Sequence, residues 1–197
     1  MTALRILAEA AWPDPDAREP EPLPPLPGFA ASSFNPLVAE TAERCLRARH
    51  GAAPAPGRTA LLLASAGGDR ATARAIETAA ADTGRRMPPL LFFQSNPNAV
   101  LGHIAARWGL TGPVVAISPA QAPPPGRVPQ DALDLAELLL ADGDADQVLV
   151  IAAEQAEQTE QTEPPDDGRD GRHDDEGDGN GGPGGIDRAV ALLVTTA

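Results

Sequence analysis

The chain has 197 residues, of which 42% are hydrophobic but only 3% aromatic, with no tyrosine and a formal charge of −13. That length supports one domain with a full core and is short for two. The negative balance argues against nucleic acid as a partner, because such binding relies on neutralising phosphates with a basic face. The charge is also uneven: Glu154 to Gly185 holds eleven acids against Arg169 and Arg172, −9 of the −13, so the rest of the chain is only mildly acidic. All 15 basic residues are arginine, a signature of high-GC coding more than of a demand for guanidinium chemistry. The single cysteine, Cys45, excludes an internal disulfide and a cysteine-based metal site, and it fits a reducing compartment. No run reaches the roughly 18 apolar residues of a membrane span, and the apolar run at the N-terminus is too short for a signal peptide. The cytoplasm is the expected location, with neither membrane nor nucleic acid as partner.

In chain order, Leu4 to Ala11 reads as a first strand, although its alanines also suit a helix. Residues 13–27 are so rich in proline that they form an extended surface connector. Asn35 is expected to cap a helix with Pro36 at its first position, which runs to His50-Gly51 and buries Val38, Ala42, Cys45 and Leu46. Thr59 to Ser65 reads as a buried strand, and Gly67-Gly68-Asp69 as a turn that caps a helix from Arg70 to Thr83, closed by Gly84. After a polar turn, Asn96 caps a helix that begins at Pro97, carries Val100, Ile104 and Trp108 on one face and stops at Gly109. The apolar run Val114 to Ile117 reads as a strand covered on both faces, in the middle of the domain. Pro129 to Ala141 follows as a helix with Ala132, Leu135, Ala136 and Leu139 inward, then Gln147 to Ala153 as a buried strand and Ile186 to Thr196 as the last. Residues 154–185 cannot bury enough apolar surface to offset their ordering entropy and are expected to be a disordered insertion. The alternation implies an α/β domain, residues 1–153 and 186–197, with a mostly parallel five-stranded sheet flanked by helices on both faces.

The run NPNAVLGHIAARWGLTGPVVAIS resembles the N-terminal half of the beta-ketoacyl synthases, condensing enzymes of the thiolase fold, which carry N-x-x-x-G-H/Q-I/L-A, then G-L-x-G-P, then a strand. Asn98, Gly102, His103, Ile104, Gly109, Leu110, Gly112 and Pro113 match. Phe34-Asn35-Pro36-Leu37, SAGGD at 65–69 and GDADQVLVIAAE at 143–154 fall where that family has an F-D-P-L-like helix start, a Gly-rich turn and a G-D-A-D segment. The resemblance covers about residues 30–153 and implies half of a thiolase-like fold.

In the family the strand after Gly-Pro leads to a nucleophilic cysteine; an ungapped extension from Gly112-Pro113 places Gln121 there. Glutamine at this position is shared by chain-length-factor subunits, which pair with ketosynthases, and by decarboxylating ketosynthase-like domains. The family's two catalytic histidines and its lysine belong to the second half of the fold, and His50, His103 and His173 match neither histidine while lysine is missing. The segment PPPG after Gln121 also occupies what should be the first turn of the nucleophile's helix. The resemblance therefore implies a non-catalytic accessory subunit, chain-length-factor-like, in bacterial polyketide or fatty acyl assembly. Its partners would be a ketosynthase subunit or an acyl carrier protein, joined as a hetero- or homodimer through Val114 to Ser118 and the helix Pro97 to Trp108. The alternative is an acyltransferase or a malonyl-carrier-protein decarboxylase using Gln121. Gln121 can equally be a loop residue that drifted after catalysis was lost. Asn98, Gly102, His103, Gly109, Gly112 and Pro113 are read as structural, with His103 bonding a nearby backbone group, and Cys45 as a small packed hydrophobe. The acids of residues 154–178 lack calcium-loop spacing, and neither metal nor cofactor is expected.

Overall fold

A computed structural model describes residues 3–17, 22–81, 88–156 and 186–197. Its elements are β1 (Leu4–Trp12), α1 (Phe34–His50), β2 (Thr59–Ala64), α2 (Arg70–Ala81), α3 (Pro89–Gln94), α4 (Pro97–Trp108), β3 (Val114–Ile117), α5 (Gln130–Ala141), β4 (Gln147–Glu154) and β5 (Arg188–Thr196). They build one five-stranded sheet in the order β1-β5-β4-β2-β3. Strands β4, β2 and β3 pair in parallel, whereas β5 lies antiparallel between β1 and β4. Four strands therefore run in one direction and β5 alone runs against them, so the sheet is mostly parallel in direction and mixed in its pairing. An antiparallel neighbour needs no crossover helix, so β5 can return directly beside β4, a pairing the strand-helix alternation does not announce.

The period-2 alternation of β2 and β4 feeds two cores. Leu61, Leu63, Leu149 and Ile151 point to the face covered by α1 and α4, where Leu37, Val38, Leu46, Val100 and Trp108 are fully buried or nearly so. Ala60, Leu62, Val148 and Val150 point to the other face and meet Ala132, Ala136 and Leu140 of α5. Every residue of β2 and of β4 is buried. Cys45 sits fully buried in the first core, as its neighbours implied.

Four expectations are corrected. The apolar run Val114–Ile117 is not central: β3 is the outermost strand and alternates between exposed and half-buried residues, with Val114 39% exposed. A short apolar run carries no information on how many neighbours its strand has, and here the central place falls to β4. Asn35 is not the cap of α1. Ser33 holds that position and its carbonyl accepts from Leu37 N, which puts Pro36 in the first turn, where the missing N–H has no intrahelical acceptor to lose. Asn35 instead turns inward, 2% exposed, and its Nδ2 donates to Asp69 Oδ2 at 3.1 Å and to Gln94 O at 3.3 Å. The polar turn before Asn96 contains a helix, α3, whose six residues are too few to show a period. Finally, residues 154–156 do not begin an insertion: Glu154 closes β4, and Gln155 and Ala156 are hydrogen-bonded to the fold. The remainder of the expected insertion, the Gly84 helix stop and His173 lie outside the described residues.

The remaining caps follow the sequence. Asp69 Oδ1 accepts from Thr72 N at 3.0 Å, opening α2, and Asn96 Oδ1 accepts from Asn98 N at 2.9 Å, opening α4. Gly109 ends α4 at φ 65°, a left-handed conformation that favours glycine.

Candidate functional site

In open α/β sheets, ligands gather outside the carboxyl ends of the parallel strands, and here that end is tied together by side-chain hydrogen bonds. Strand β4 finishes on Glu154, 7% exposed, whose carboxylate accepts from Ala66 N at 2.6 Å and Gly67 N at 3.0 Å. Ser65 follows β2 directly; its Oγ accepts from Gly68 N at 2.9 Å. Gln155 ties the same corner to α1, accepting from Ala71 N at 3.2 Å and donating to Ser32 Oγ and Ser33 Oγ at 3.1 and 3.0 Å. Asp187, just before β5, accepts from Ala156 N at 2.9 Å and from Ser33 Oγ. The turn from β2 to α2, the start of α1 and the ends of β4 and β5 are therefore one clamp.

Beside the clamp lies a cleft of about 250 Å³ between the ends of β2 and β3 and the start of α4, with Leu63, Ile117 and Phe34 among its apolar walls. Among the described residues Asp69 is the one ionisable side chain that lines it, and its carboxylate already accepts from Asn35, Thr72 N and Thr72 Oγ1. Neither cysteine nor histidine borders it. The cleft can hold an apolar group beside hydroxyls and carboxamides, but its described walls supply no assembled base and nucleophile pair.

The motif residues lie along α4 and on the approach to β3. Asn98 is exposed in the first turn of α4, and Gly102 is exposed further along it, with open space where a Cβ would stand. His103 makes no backbone bond among the described residues; its ring meets Phe29 edge-on, centroids 6.2 Å apart. Gly112 crosses β2 so closely that a Cβ would come within 2.6 Å of the Thr59 and Ala60 backbone, and its N–H donates to Thr59 O at 3.1 Å. Pro113 O accepts from Leu61 N at 2.8 Å. Gln121 is exposed in a bend beyond β3 and does not line the cleft.

Electrostatic perturbation is found in the packing rather than in the cleft. Burial pushes the Cys45 thiol up to about 12, so it is inert as a thiolate. Burial also raises the Glu43 carboxyl, but hydrogen bonds from Arg47, Trp108 Nε1 and Arg107 outweigh it and hold the group below its ordinary value. Glu43 thereby pins α1 to α4, with Trp108 Nε1 at 2.6 Å.

A second feature was not visible in the sequence. Pro113 O and Ile117 O both accept from β2, and because parallel strands direct alternate residues to alternate sides, the backbone groups of Val114 and Ala116 point away from the sheet. The edge is open among the described residues. Gln94, the last residue of α3, shares the cleft with Ala116 and Ile117 at the end of β3, and the same helix leaves Leu90, Phe92 and Phe93 57%, 69% and 70% exposed.

No family model and no curated protein matches the chain, but solved structures do. A complex of a ketosynthase with its chain length factor from Xenorhabdus doucetiae matches at TM-score 0.62 and 19% identity, over 100% of this chain and 80% of that one. The ishigamide ketosynthase/chain length factor matches at 0.59 and 20%, over 87% and 46%, and a beta-ketoacyl synthase from Burkholderia phymatum at 0.62 and 16%, over 100% and 60%. The chain has the ketosynthase-like fold that its motifs implied, and it spans about half the length of two of these structures and four-fifths of the third.

Proposed function

We propose that the protein is a non-catalytic, chain-length-factor-like subunit that acts in bacterial polyketide or fatty acyl assembly by pairing with a ketosynthase. The observation that carries this reading is the open edge of β3, four residues long, uncharged and outermost in the sheet. Native proteins blunt exposed strand edges with charge, proline or cover; Val114–Ile117 carries neither charge nor proline, and among the described residues no strand pairs with its outer side. Two of the matching structures are complexes of ketosynthases with chain length factors, which supports a ketosynthase-fold partner for that edge.

The test is co-expression with the ketosynthase encoded nearest its gene, followed by size-exclusion chromatography with light scattering. A stable heterodimer is expected, and Ala116→Pro, which removes an outward N–H and leaves the β2 ladder intact, is expected to dissociate it. A wild-type chain that migrates apart from every neighbouring ketosynthase refutes the proposal. Carbon dioxide release from malonyl carrier protein by the chain alone, lost in Gln121→Ala, would favour the decarboxylase reading instead.

A further inference from the structure

The segment Pro123 to Gly126 folds as a fixed turn rather than as the start of a helix. Arg127 N donates to Pro124 O at 3.1 Å and Gly126 stands at φ 72°, so Pro125 and Gly126 take the two central places of a type II turn, which favours those residue types there. The turn lies over a part of the sheet that α5 leaves uncovered. Val148 and Val150 point to α5, and Ala152, two residues further along β4, faces the same side. Ala152 pairs with Val190 of β5, which pairs with Ala11 of β1, so the three make one row across the strands. None of them belongs to the core under α5. The row lines a cavity of about 600 Å³ together with prolines of both connectors, Pro13 and Pro15 after β1 and Pro123 to Pro125 in the turn. This cavity shares no residue with the cleft at the ends of β2 and β3, and Gln121 does not line it.

Its walls carry two exposed guanidinium groups, Arg127 in the turn and Arg188 at the start of β5, and neither has an ion-pair partner among the described residues. Glu154 stands directly opposite Arg188 on β4, where opposite charges ordinarily pair. Its carboxylate turns instead to Ala66 N and Gly67 N, past β4 on the side away from β5. Glu9, the other acid on the walls, pairs with Leu192 and so lies across the Ala11–Val190 row from Arg188. One end of the cavity is therefore cationic and its body apolar.

We infer that this cavity binds a planar aromatic carboxylate, its acid group seated on Arg127 and Arg188 and its rings lying over Ala11, Val190 and Ala152 among the prolines. Guanidinium groups match a carboxylate in geometry as well as charge. The volume falls in the range of ligand pockets and is ample for two fused rings, since a cavity of roughly 150 Å³ holds benzene. Proline has no rotamers to lose and no N–H to leave unpaired, so these walls are rigid and apolar, and proline-rich surfaces are the natural partners of aromatic rings. A rigid flat ligand loses little freedom in such a slot, whereas a flexible alkyl acid loses its rotations. An amine is repelled by the cationic end. The site stands apart from the pairing reading and does not depend on it.

The experiment titrates the full chain with 2-naphthoate by calorimetry, beside 2-naphthamide, 2-naphthylmethylamine and octanoate. Naphthoate is expected to bind about tenfold or more tightly than each of the other three, the range of a hydrogen bond to a charged group. Arg127→Gln/Arg188→Gln should weaken naphthoate by about the same factor and leave naphthamide unchanged. Arg5→Gln/Arg49→Gln, which removes equal charge from exposed positions outside the cavity, should change neither. Ala11→Leu, which fills part of the row beneath the rings, should weaken both. Because Arg127 and Arg188 are exposed, thermal unfolding of their double variant is expected to match wild type, which separates a lost seat from a lost fold. No heat from naphthoate at millimolar concentration overturns the assignment, and so does equal affinity for octanoate or the amine. Naphthoate binding that survives Arg127→Gln/Arg188→Gln or Ala11→Leu at full strength places the ligand elsewhere and overturns it as well.

Discussion

Gly102 and Gly112 belong to the same sequence motif, yet alanine at each should act in opposite directions. A Cβ on Gly112 would stand 2.6 Å from Thr59 C, Thr59 O and Ala60 N, about 0.8 Å inside ordinary contact. All three are backbone atoms of β2, the strand next to β4 at the centre of the sheet, so no side chain can swing aside. Relief requires the start of β3 to move away from β2, stretching the Gly112 N–Thr59 O and Leu61 N–Pro113 O bonds of 3.1 and 2.8 Å. Overpacking of about 1–3 kcal/mol and a weakened hydrogen bond of about 1 kcal/mol give a loss of roughly 3 kcal/mol. At about 2–4 °C per kcal/mol for a chain of this size, Gly112→Ala should melt some 6–12 °C below wild type. Gly102 is exposed inside α4 and meets nothing within 4 Å, so Gly102→Ala should gain about 0.5–1 kcal/mol through lower unfolded-state entropy. Urea unfolding followed by far-ultraviolet circular dichroism measures both. A Gly112→Ala loss below about 1 kcal/mol, or a destabilising Gly102→Ala, refutes the close approach of β3 to β2 or the open helix face.

Three further outcomes follow from named contacts. Cys45, fully buried and with its thiol pushed up to about 12, should resist an aromatic disulfide reagent at pH 8 in the native protein and react at once in denaturant; rapid native labelling would contradict the packing. Glu154→Ala leaves Ala66 N and Gly67 N without their carboxylate and should cost about 2–3 kcal/mol by urea titration, with hydrogen exchange accelerated first at those two amides. Glu43 titrates below its ordinary value in the fold, so its contribution is complete above the unfolded value and lost as pH falls through the folded one. Wild type should therefore lose more stability than Glu43→Gln on acidification below about pH 4.5, and parallel pH profiles would show that Glu43 does not bind α1 to α4 in solution.

Local chemistry was readable where it is truly local. Asn96 followed by Pro97, Asp69 before Arg70 and Gly109 after Trp108 mark helix ends because a cap acts within three residues of itself, and the structure has each as expected. Asn35 shows the limit of that logic. The same residue type before a proline is not a cap here, because Asp69 and Gln94, distant in sequence, draw its carboxamide inward. Glu154 was visible only as the last residue of a motif, since the amides it binds lie on another strand's turn.

The sequence by itself determined every element but α3, the burial of β2 and β4 and the ketosynthase-like fold. Periodicity, capping and composition act along the chain and need no partner. Only the tertiary structure decided which strand is central and which lies at the edge, because strand order depends on pairings between residues far apart in sequence. Val114–Ile117 is as apolar as a core strand, and it became a free edge solely because β2 has β4 on its other side.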